Sequence, residues 1–324
     1  MSVTTYHFLF TAQVLTPLEL DEHSGSALRG TLFEAVWRRF CTNKASASCT
    51  DCPLHAVCPV SALVAPLREE NQRGRDIPRP YIILPPLEAR RYECGQALVF
   101  GITLFGSIIE LLPYIVLSLQ VMETCGLGRK LAENHGQRGT FRIQHIEAYH
   151  PLTGERQSIY QEGKALVQSP TLAVSATDVS HKAATLPADA VTLDFLTPTR
   201  LIDHDRLLYH IAFRSLMLRL LERLAALEAT YNAAAGEEWR NAGWRYELVA
   251  QAEFITCNDN THWEEVHSYS QRQRRLTPIS GFVGKATFMG NLAPFRELLI
   301  WGELVHVGKN VVKGNGWYKV AEPV

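Results

Sequence analysis

Residues 5–15, TYHFLFTAQVL, open the pattern that decides the fold. They are rich in aromatic and β-branched side chains, which predicts a strand. A connection follows over residues 17–25, and residues 26–40 place apolar side chains at helical spacing. That spacing predicts an amphipathic helix. The chain therefore starts as a strand followed by a helix.

Further strands and helices are predicted in the rest of the first half. The pattern predicts strands at Tyr81–Leu84 and Ala97–Leu104, a helix at Glu110–Thr124 and a strand at Thr140–Tyr149. The resulting order, β-α-β-β-α-β, is that of a ferredoxin-like unit. Residues 151–189 are polar and rich in Gly, Ser, Thr and Pro, which is typical of a linker region.

The second half repeats the order. The predicted elements are a strand at Val191–Leu196, a helix at Asp203–Tyr231, strands at Trp244–Ile255 and Gly281–Met289, a helix at Pro294–Trp301 and a strand at Trp317–Val320. A repeat of this kind suggests duplication. The sequence thus predicts an α+β protein with two tandem ferredoxin-like (RRM-like) domains, residues 1–185 and 186–324, and a cysteine-rich insertion at residues 41–66 of the first.

Composition and charge narrow the class of protein. The 324 residues are 46% apolar and 20% charged, which fits a globular protein of two domains. The net charge is −1, so binding to nucleic acid needs local clusters of Lys and Arg. Residues 269–320 hold eight basic and two acidic side chains, a local charge of +6.

The sequence predicts a cytoplasmic protein that does not span a membrane. The first 20 residues contain no Lys or Arg, unlike a secretory signal. Residues 98–122 carry Glu110 as their only charge and are long enough to span a bilayer. However, Gly101, Gly106 and Pro113 divide them into a strand and a helix of the core.

Residues 308–316, GKNVVKGNG, lie between the last predicted helix and the last predicted strand. Glycines permit positive φ and close approach to a ligand, exposed amides bind phosphate oxygens, and two lysines supply charge. The spacing is not that of a Walker loop. Phosphate binding through Gly308, Lys309, Lys313, Gly314 and Gly316 is therefore one interpretation, and an ordinary glycine-rich hairpin is the other.

Four of the seven cysteines fall in one segment. Cys41, Cys49, Cys52 and Cys58 form a C-x7-C-x2-C-x5-C pattern, in which the two-residue knuckle is typical of a tetrahedral metal site. Zinc in a structural role is the first interpretation. The Cys-Pro pairs at Cys52 and Cys58 keep an iron–sulfur cluster as the alternative, and four buried thiols without metal are the third.

Several short motifs resemble the CRISPR repeat-RNA-processing endoribonucleases of the RAMP (repeat-associated mysterious protein) superfamily. The motifs are residues 269–273 (YSQRQ), 281–284 (GFVG), 298–307 before the glycine-rich loop and 317–318 (WY), with shorter matches at residues 28–30 (LRG) and 125–128 (CGLG). The resemblance implies tandem ferredoxin-like domains, RNA bound across a basic face and metal-independent cleavage.

Such cleavage needs a base, an acid and a cation for the charge that develops on phosphorus. The resemblance implies a histidine near the first helix, and His23 stands just before that helix. His306 precedes the glycine-rich loop, with Lys309 or Lys313 as the stabilising cation. A plain loop histidine at position 23 and a strand-edge histidine at position 306 are the alternative interpretations.

Further basic residues are predicted to contact RNA. They are Arg129, Lys130 and Arg138 in a glycine-punctuated segment of the first domain, and Arg272, Arg274 and Lys285 in the second. We expect an endoribonuclease that cuts CRISPR repeats by 2′-OH attack, leaving a 2′,3′-cyclic phosphate. Its partners would be repeat or guide RNA and other CRISPR effector subunits. The alternatives are a non-catalytic RAMP-type subunit that holds guide RNA and a zinc-dependent RNA-binding regulator.

Overall fold

The computed structural model describes residues 3–49, 51–66, 77–164, 167–232, 243–270 and 275–321. The chain forms two compact units, Thr4–Val174 and Ser175–Val324, the second of which also includes Met1–Val3. The division lies between residues 174 and 175, whereas the sequence predicted it between 185 and 186. The difference arises because the helix Ala176–Ala184 packs against the helix Arg296–Val305 of the second unit.

The first unit is a ferredoxin-like domain. Its strands are β1 (Thr5–Val14), β2 (Leu18–Leu20), β3 (Tyr81–Leu84), β4 (Arg90–Tyr92), β5 (Ala97–Phe105), β6 (Leu127–Leu131), β7 (Gln137–Gly139), β8 (Phe141–Tyr149) and β9 (Arg156–Gln161). Its helices are α1 (Gly25–Phe40), α2 (Pro59–Val64) and α3 (Leu112–Cys125). The main sheet is antiparallel, in the order β3-β5-β1-β8-β9.

The core of the first unit lies between this sheet and the helices α1 and α3, which pack together. Phe8 and Phe10 on β1 are buried, and the ring of Phe10 stacks on that of Phe100 with centroids 5.1 Å apart. A fully buried Phe side chain contributes about 2–3 kcal/mol to folding. These buried rings therefore fix β1 at the centre of the sheet, and β1 leads through a short connection into α1.

The second unit repeats the topology. Its strands are β10 (Ala190–Thr199), β11 (Ile202–Asp203), β12 (Arg206–Leu207), β13 (Thr256–Glu264), β14 (His267–Ser270), β15 (Arg275–Pro278), β16 (Gly281–Met289) and β17 (Tyr318–Ala321). Its helices are α4 (Ala176–Ala184), α5 (Phe213–Tyr231), α6 (Gly243–Gln251) and α7 (Arg296–Val305). The main sheet has the order β13-β16-β10-β17, which matches β3-β5-β1-β8 of the first unit. The predicted tandem ferredoxin-like fold is confirmed.

Two predicted elements are wrong in detail. Residues 244–255 form the helix α6 and a 3₁₀ turn instead of a strand, because Glu247, Leu248 and Ala250 are good helix formers. The strand of the repeat is instead the polar β13, an edge strand. The long helix starts at Phe213, not Asp203, since residues 202–207 form a tight hairpin with positive φ at His204 and Asp205.

The apolar segment of the first unit is helical. Residues Gly106–Cys125 are long and apolar enough to cross a membrane by length and composition. They consist of a 3₁₀ turn, Gly106–Leu111, followed by α3, which packs against α1 and buries Leu112, Ile115 and Leu119. The helix predicted at Glu110–Thr124 is thus present, with part of its surface buried.

Candidate nucleic-acid interface

The glycine-rich loop, residues 308–316, follows the C-terminus of α7, which a hydrogen bond from Arg223 holds in place. Arg223 is half-buried, and its Nε donates a hydrogen bond of 2.6 Å to the carbonyl of Val305, the last residue of α7. Desolvation lowers the pKa of Arg223 to about 10, so the side chain stays charged at neutral pH. A cation at a helix C-terminus interacts favourably with the helix dipole.

The loop backbone is tied to the end of β10 and to the residues that follow it. The amide of Lys309 donates to the carbonyl of Arg200 at 3.0 Å, and the amide of Gly316 donates to the carbonyl of Pro198 at 3.1 Å. The hydroxyl of Thr197 donates to the carbonyl of Gly314 at 2.8 Å. These bonds fix the path of the loop in the absence of a ligand.

Gly308 and Gly316 of this loop allow other backbone segments of the same unit to pack directly against them. A Cβ at Gly308 would lie 2.4 Å from the carbonyl oxygen of Arg200, and one at Gly316 would lie 1.8 Å from that of Val307. Both residues also have positive φ, +88° and +71°. The sequence had attributed these glycines to close approach of RNA. The structure shows instead backbone of the same unit, that of Arg200 at Gly308 and that of Val307 at Gly316.

His306 is buried, with 1% of its surface exposed. Its Nδ1 lies 3.2 Å from the carbonyl oxygen of Asn315, which can only accept, so Nδ1 carries the proton. Its ring is parallel to that of Trp317, with centroids 5.7 Å apart. His306 therefore lies inside the second unit beside the glycine-rich loop, and its role in proton transfer stays a prediction of the sequence.

The lysines of the loop differ in exposure. Lys309 is exposed while its backbone is anchored, so its ammonium group is available to solvent. Lys313 is half-buried, and Gly314 follows it with φ +88°. Lys309 is the better placed of the two to meet a phosphate. Lys285, on β16, lies 3.8 Å from Asp194, and Arg272 and Arg274 fall outside the described residues.

The basic hairpin of the first unit, β6 and β7, is partly neutralised. Arg129 pairs with Glu19 at 3.1 Å and with Asp21 at 2.5 Å, so its charge is already offset. Lys130 is paired in register with Arg138, and neither has a carboxylate partner in the described part of the chain. Two like charges facing each other across a hairpin favour a bound anion. Of the three residues predicted to contact RNA here, Lys130 and Arg138 have a positive charge that no carboxylate of the described residues offsets.

The first turn of α1 has polar atoms without partners. Ser24, the N-cap residue, makes no capping hydrogen bond, and no acidic residue lies in the first turn. The hydroxyl oxygens of Ser24 and Ser26 and the Nε of Arg29 are buried and have no hydrogen-bond partner within the described ranges. Ser24 is only 3% exposed. Unsatisfied donors at a helix N-terminus form an anion-binding site.

His23 immediately precedes this turn and is half-buried. The guanidinium of Arg29 lies near the buried hydroxyl of Tyr81, where its charge partly offsets the rise in the pKa of Tyr81 that desolvation causes. The sequence predicted a role for His23 and placed Arg29 in the LRG motif, but it gave no role to the hydroxyls of Ser24 and Ser26. A helix start of Ser-Gly-Ser, without an acidic residue and with Arg one turn later, was the available signal.

The four clustered cysteines are half-buried thiols in the segment between α1 and α2. Asn43 donates from Nδ2 to the Sγ of Cys52 at 3.6 Å. Among the residues that the structure describes, no three of these sulfur atoms come within 4.8 Å of one another. Zinc or an iron–sulfur cluster at these cysteines therefore stays a prediction of the sequence.

Two family models match the chain, one in each half. The model AF_1859_N, described as an N-terminal domain, matches residues 3–172, which is more than half of the chain. The model of the CRISPR-associated endoribonuclease Cas6 matches residues 193–318. The second match includes all of the glycine-rich loop. No curated protein matches the chain.

Solved structures share the fold over its whole length. A Cas6 product complex is 15% identical, with a TM-score of 0.57 and coverage of 98% of this chain and 99% of that one. Cas6 of Thermus thermophilus is 14% identical, with a TM-score of 0.55 and coverage of 99% and 100%. A chain of a partial Cas6-RT-Cas1–Cas2 complex is 13% identical, with a TM-score of 0.57, and this chain spans 46% of it.

At these identities the solved structures show a common fold, and the family matches carry the assignment. The N-terminal model covers the first ferredoxin-like unit and the Cas6 model covers the second. The first unit therefore belongs to the AF_1859_N family of N-terminal domains, and the chain is a RAMP-type CRISPR-associated endoribonuclease that processes CRISPR precursor RNA.

Proposed function

We propose that this endoribonuclease cuts within CRISPR repeats without a metal ion, at the first turn of α1. In this reaction the ribose 2′-oxygen bonds to phosphorus while the bond from phosphorus to the 5′-oxygen breaks. A base removes the 2′-OH proton and an acid gives a proton to the 5′-oxygen. The products are a 2′,3′-cyclic phosphate and a 5′-hydroxyl.

The observation that carries the proposal is the uncapped first turn of α1. Ser24 and Ser26 offer hydroxyl donors, Arg29 offers an unused Nε–H, and the helix supplies free amides. A phosphate at this turn would accept hydrogen bonds from the free amides of the helix N-terminus, next to these buried polar atoms. The same donors would stabilise the additional negative charge of the transition state, which is usually the largest single contribution to such catalysis.

His23 is the proton-transfer group of the proposal. It lies one residue before the N-cap, so a phosphate held by the turn would be adjacent to its ring. Imidazole suits this role because its ordinary pKa, about 6.5, is close to neutral pH. His306 is buried in the second unit, and the proposal gives the proton transfer to His23.

RNA contacts extend beyond this turn in the proposal. The exposed Lys309 and the facing pair Lys130 and Arg138 are the cations best placed to hold the RNA backbone. One solved structure with this fold is a Cas6-RT-Cas1–Cas2 complex, which supports other CRISPR proteins as partners. The proposed location of the reaction is the cytoplasm.

The test is cleavage of end-labelled repeat RNA in EDTA. We expect the wild-type chain to cut at one site and leave a cyclic phosphate. His23→Ala should slow cleavage on the order of 10²-fold or more at unchanged RNA affinity, because proton transfer acts in the transition state. His145→Ala, a half-buried histidine on β8 of the same unit, is the matched control and should cut normally. Wild-type rates for His23→Ala, or a requirement for metal, would contradict the proposal.

We also propose that the four clustered cysteines bind one structural metal ion, zinc first and an iron–sulfur cluster second. The support is the four-thiol pattern alone. Elemental analysis of anaerobically purified protein decides this. About one equivalent of zinc, lost in Cys52→Ser together with a lower melting temperature, is the expected result, since structural metal binding adds to folding free energy. If the wild-type protein contains neither zinc nor iron, the proposed metal site is wrong.

A further inference from the structure

Tyr209, Trp263 and Arg200 form an aromatic cluster on the second unit. The ring centroids of Tyr209 and Trp263 are 4.6 Å apart with planes at 52°, and the guanidinium of Arg200 lies 5.9 Å from the centre of the Trp263 ring. Tyr209 keeps 56% of its surface exposed. A large aromatic side chain that is supported from beneath and open above resembles a stacking platform more than a core residue.

Hydrogen bonds fix the orientation of the Trp263 ring. Its Nε1 donates to Glu265 at 2.7 Å, and the hydroxyl of Ser280 donates to the other carboxylate oxygen of Glu265 at 2.8 Å. The Ser280 and Trp263 hydrogen bonds, with a smaller effect of the Arg200 charge, lower the pKa of Glu265. The carboxylate stays ionised at neutral pH, so the platform is organised before any ligand binds.

The cluster adjoins the glycine-rich loop. The amide of Leu208, the neighbour of Tyr209, donates to the carbonyl of Leu201 at 3.0 Å. The amide of Lys309 donates to the carbonyl of Arg200, also at 3.0 Å. The backbone next to Tyr209 and the backbone of Lys309 are thus both bonded to the two-residue segment 200–201. The chain segments that carry the aromatic platform and the exposed lysine are therefore neighbours in the second unit.

We propose that Tyr209, supported by Trp263, stacks on an unpaired base of the repeat RNA while Lys309 contacts a neighbouring phosphate. This inference rests on the proposed function and adds a second binding point to it. Single-stranded RNA is recognised by stacking of splayed bases on aromatic side chains next to a positively charged groove. A duplex, whose bases are stacked on each other, would not use the platform, so the ligand is a single-stranded part of the repeat.

Binding of fluorescent repeat RNA to three variants tests the proposal. Stacking of one base is worth about 1–3 kcal/mol, so Tyr209→Ala should weaken affinity roughly 5- to 150-fold. Tyr209→Phe keeps the ring and should bind like the wild type. Tyr246→Ala is the matched control, because Tyr246 is 83% exposed on α6 of the same unit and lies outside the cluster. Cleavage by Tyr246→Ala should proceed at the wild-type rate.

Abasic substitutions identify the stacked base. At one position of the repeat, loss of the base should weaken binding to the wild-type chain and have no further effect on Tyr209→Ala. If Tyr209→Ala binds as tightly as the wild type, or no position shows this coupling, the platform is wrong while the cleavage site at α1 stands. If the wild-type chain neither binds nor cuts repeat RNA, the proposed function fails and the platform fails with it.

Discussion

Helices α1 and α5 each follow the first strand of the main sheet of their unit, and the polar groups at their N-termini have different partners. In α5, the hydroxyl of Ser215 donates to Asp203 at 2.6 Å, and Arg214 lies 3.4 Å from the same carboxylate. In α1, the hydroxyls of Ser24 and Ser26 have no partner in the described part of the chain. The second unit supplies its own anion, and the first leaves the equivalent donors open.

This difference indicates which unit binds an anion from outside. A helix N-terminus attracts negative charge, and Asp203 provides that charge to α5 permanently. The α1 turn contains no acidic residue and has buried donors that cost free energy while they are unsatisfied. A phosphate of the substrate is the natural partner for them, so we place cleavage in the first unit.

The largest effect is expected when α1 is made to resemble α5. Ser24→Asp puts a carboxylate in the first turn, which would occupy the free amides and repel phosphate. We expect cleavage to slow about 100-fold or more, as for the loss of a transition-state anion site. The free energy of unfolding should stay within about 1 kcal/mol of the wild-type value, because Asp is a good N-cap residue.

The control for that variant is Ser24→Ala, which removes the hydroxyl without adding charge. Single-turnover cleavage should fall by about 10-fold or less, the effect of one neutral donor. Equal rates for Ser24→Asp and the wild type would show that no phosphate enters the turn.

A smaller effect, on the free energy of unfolding alone, is expected when the carboxylate at the N-terminus of α5 is removed. Asp203→Asn leaves Ser215, Arg214 and Arg219 without their shared carboxylate. Unfolding by urea should show a loss of about 1–2 kcal/mol, and cleavage by the folded protein should not change. Glu222→Gln, which removes the exposed partner of the same Arg219, should cost less than about 0.5 kcal/mol. A cleavage defect in Asp203→Asn would break the assignment of chemistry to α1.

The same carboxylate predicts a pH dependence of stability. The hydrogen bond from Ser215, with the charges of His204, Arg214 and Arg219, lowers the pKa of Asp203. Its stabilising contribution is therefore complete above the unfolded value of about 3.9 and is lost as the pH falls through the folded pKa. The difference in unfolding free energy between the wild type and Asp203→Asn should be constant near neutral pH and disappear in acid. A difference that grows in acid would contradict this assignment.

The smallest effect concerns RNA affinity at the glycine-rich loop. Lys309→Ala combined with Lys313→Ala removes at most two phosphate contacts. The slope of log affinity against log salt should become less steep by at most about two units. The exposure of Lys309 and the half-buried position of Lys313 favour a change closer to about one unit. An unchanged slope would exclude the loop from the RNA-binding surface.

The fold was largely predictable because both central strands carry strong signals. Over most of β1 and β16, more buried side chains alternate with less buried ones, as expected for strands with one face on the core. The strand at Trp244–Ile255 was wrong because aromatic residues there resemble a strand locally while the segment packs as a helix on α5. The polar residues of β13 gave no strand signal, since an edge strand needs no apolar face on its exposed side.

The site was predictable only in part because its chemistry depends on burial. The sequence placed His23 at the entrance to α1 and the basic loop before the last strand. It could not show that His306 is closed between Trp317 and Asn315. Nor could it show that the hydroxyls of Ser24 and Ser26 have no partners, because satisfaction of donors is a property of the packed chain.

The most direct measurement is an amide NMR titration of the perdeuterated protein with repeat RNA whose cleavage-site ribose lacks the 2′-hydroxyl. The RNA binds but cannot be cut, so a stable complex forms. We predict that the amide signals of Gly25, Ser26 and Ala27 shift strongly on binding, while those of Arg214 and Ser215 in the equivalent turn of α5 do not. Unchanged α1 signals, or equal shifts in both turns, would contradict the account.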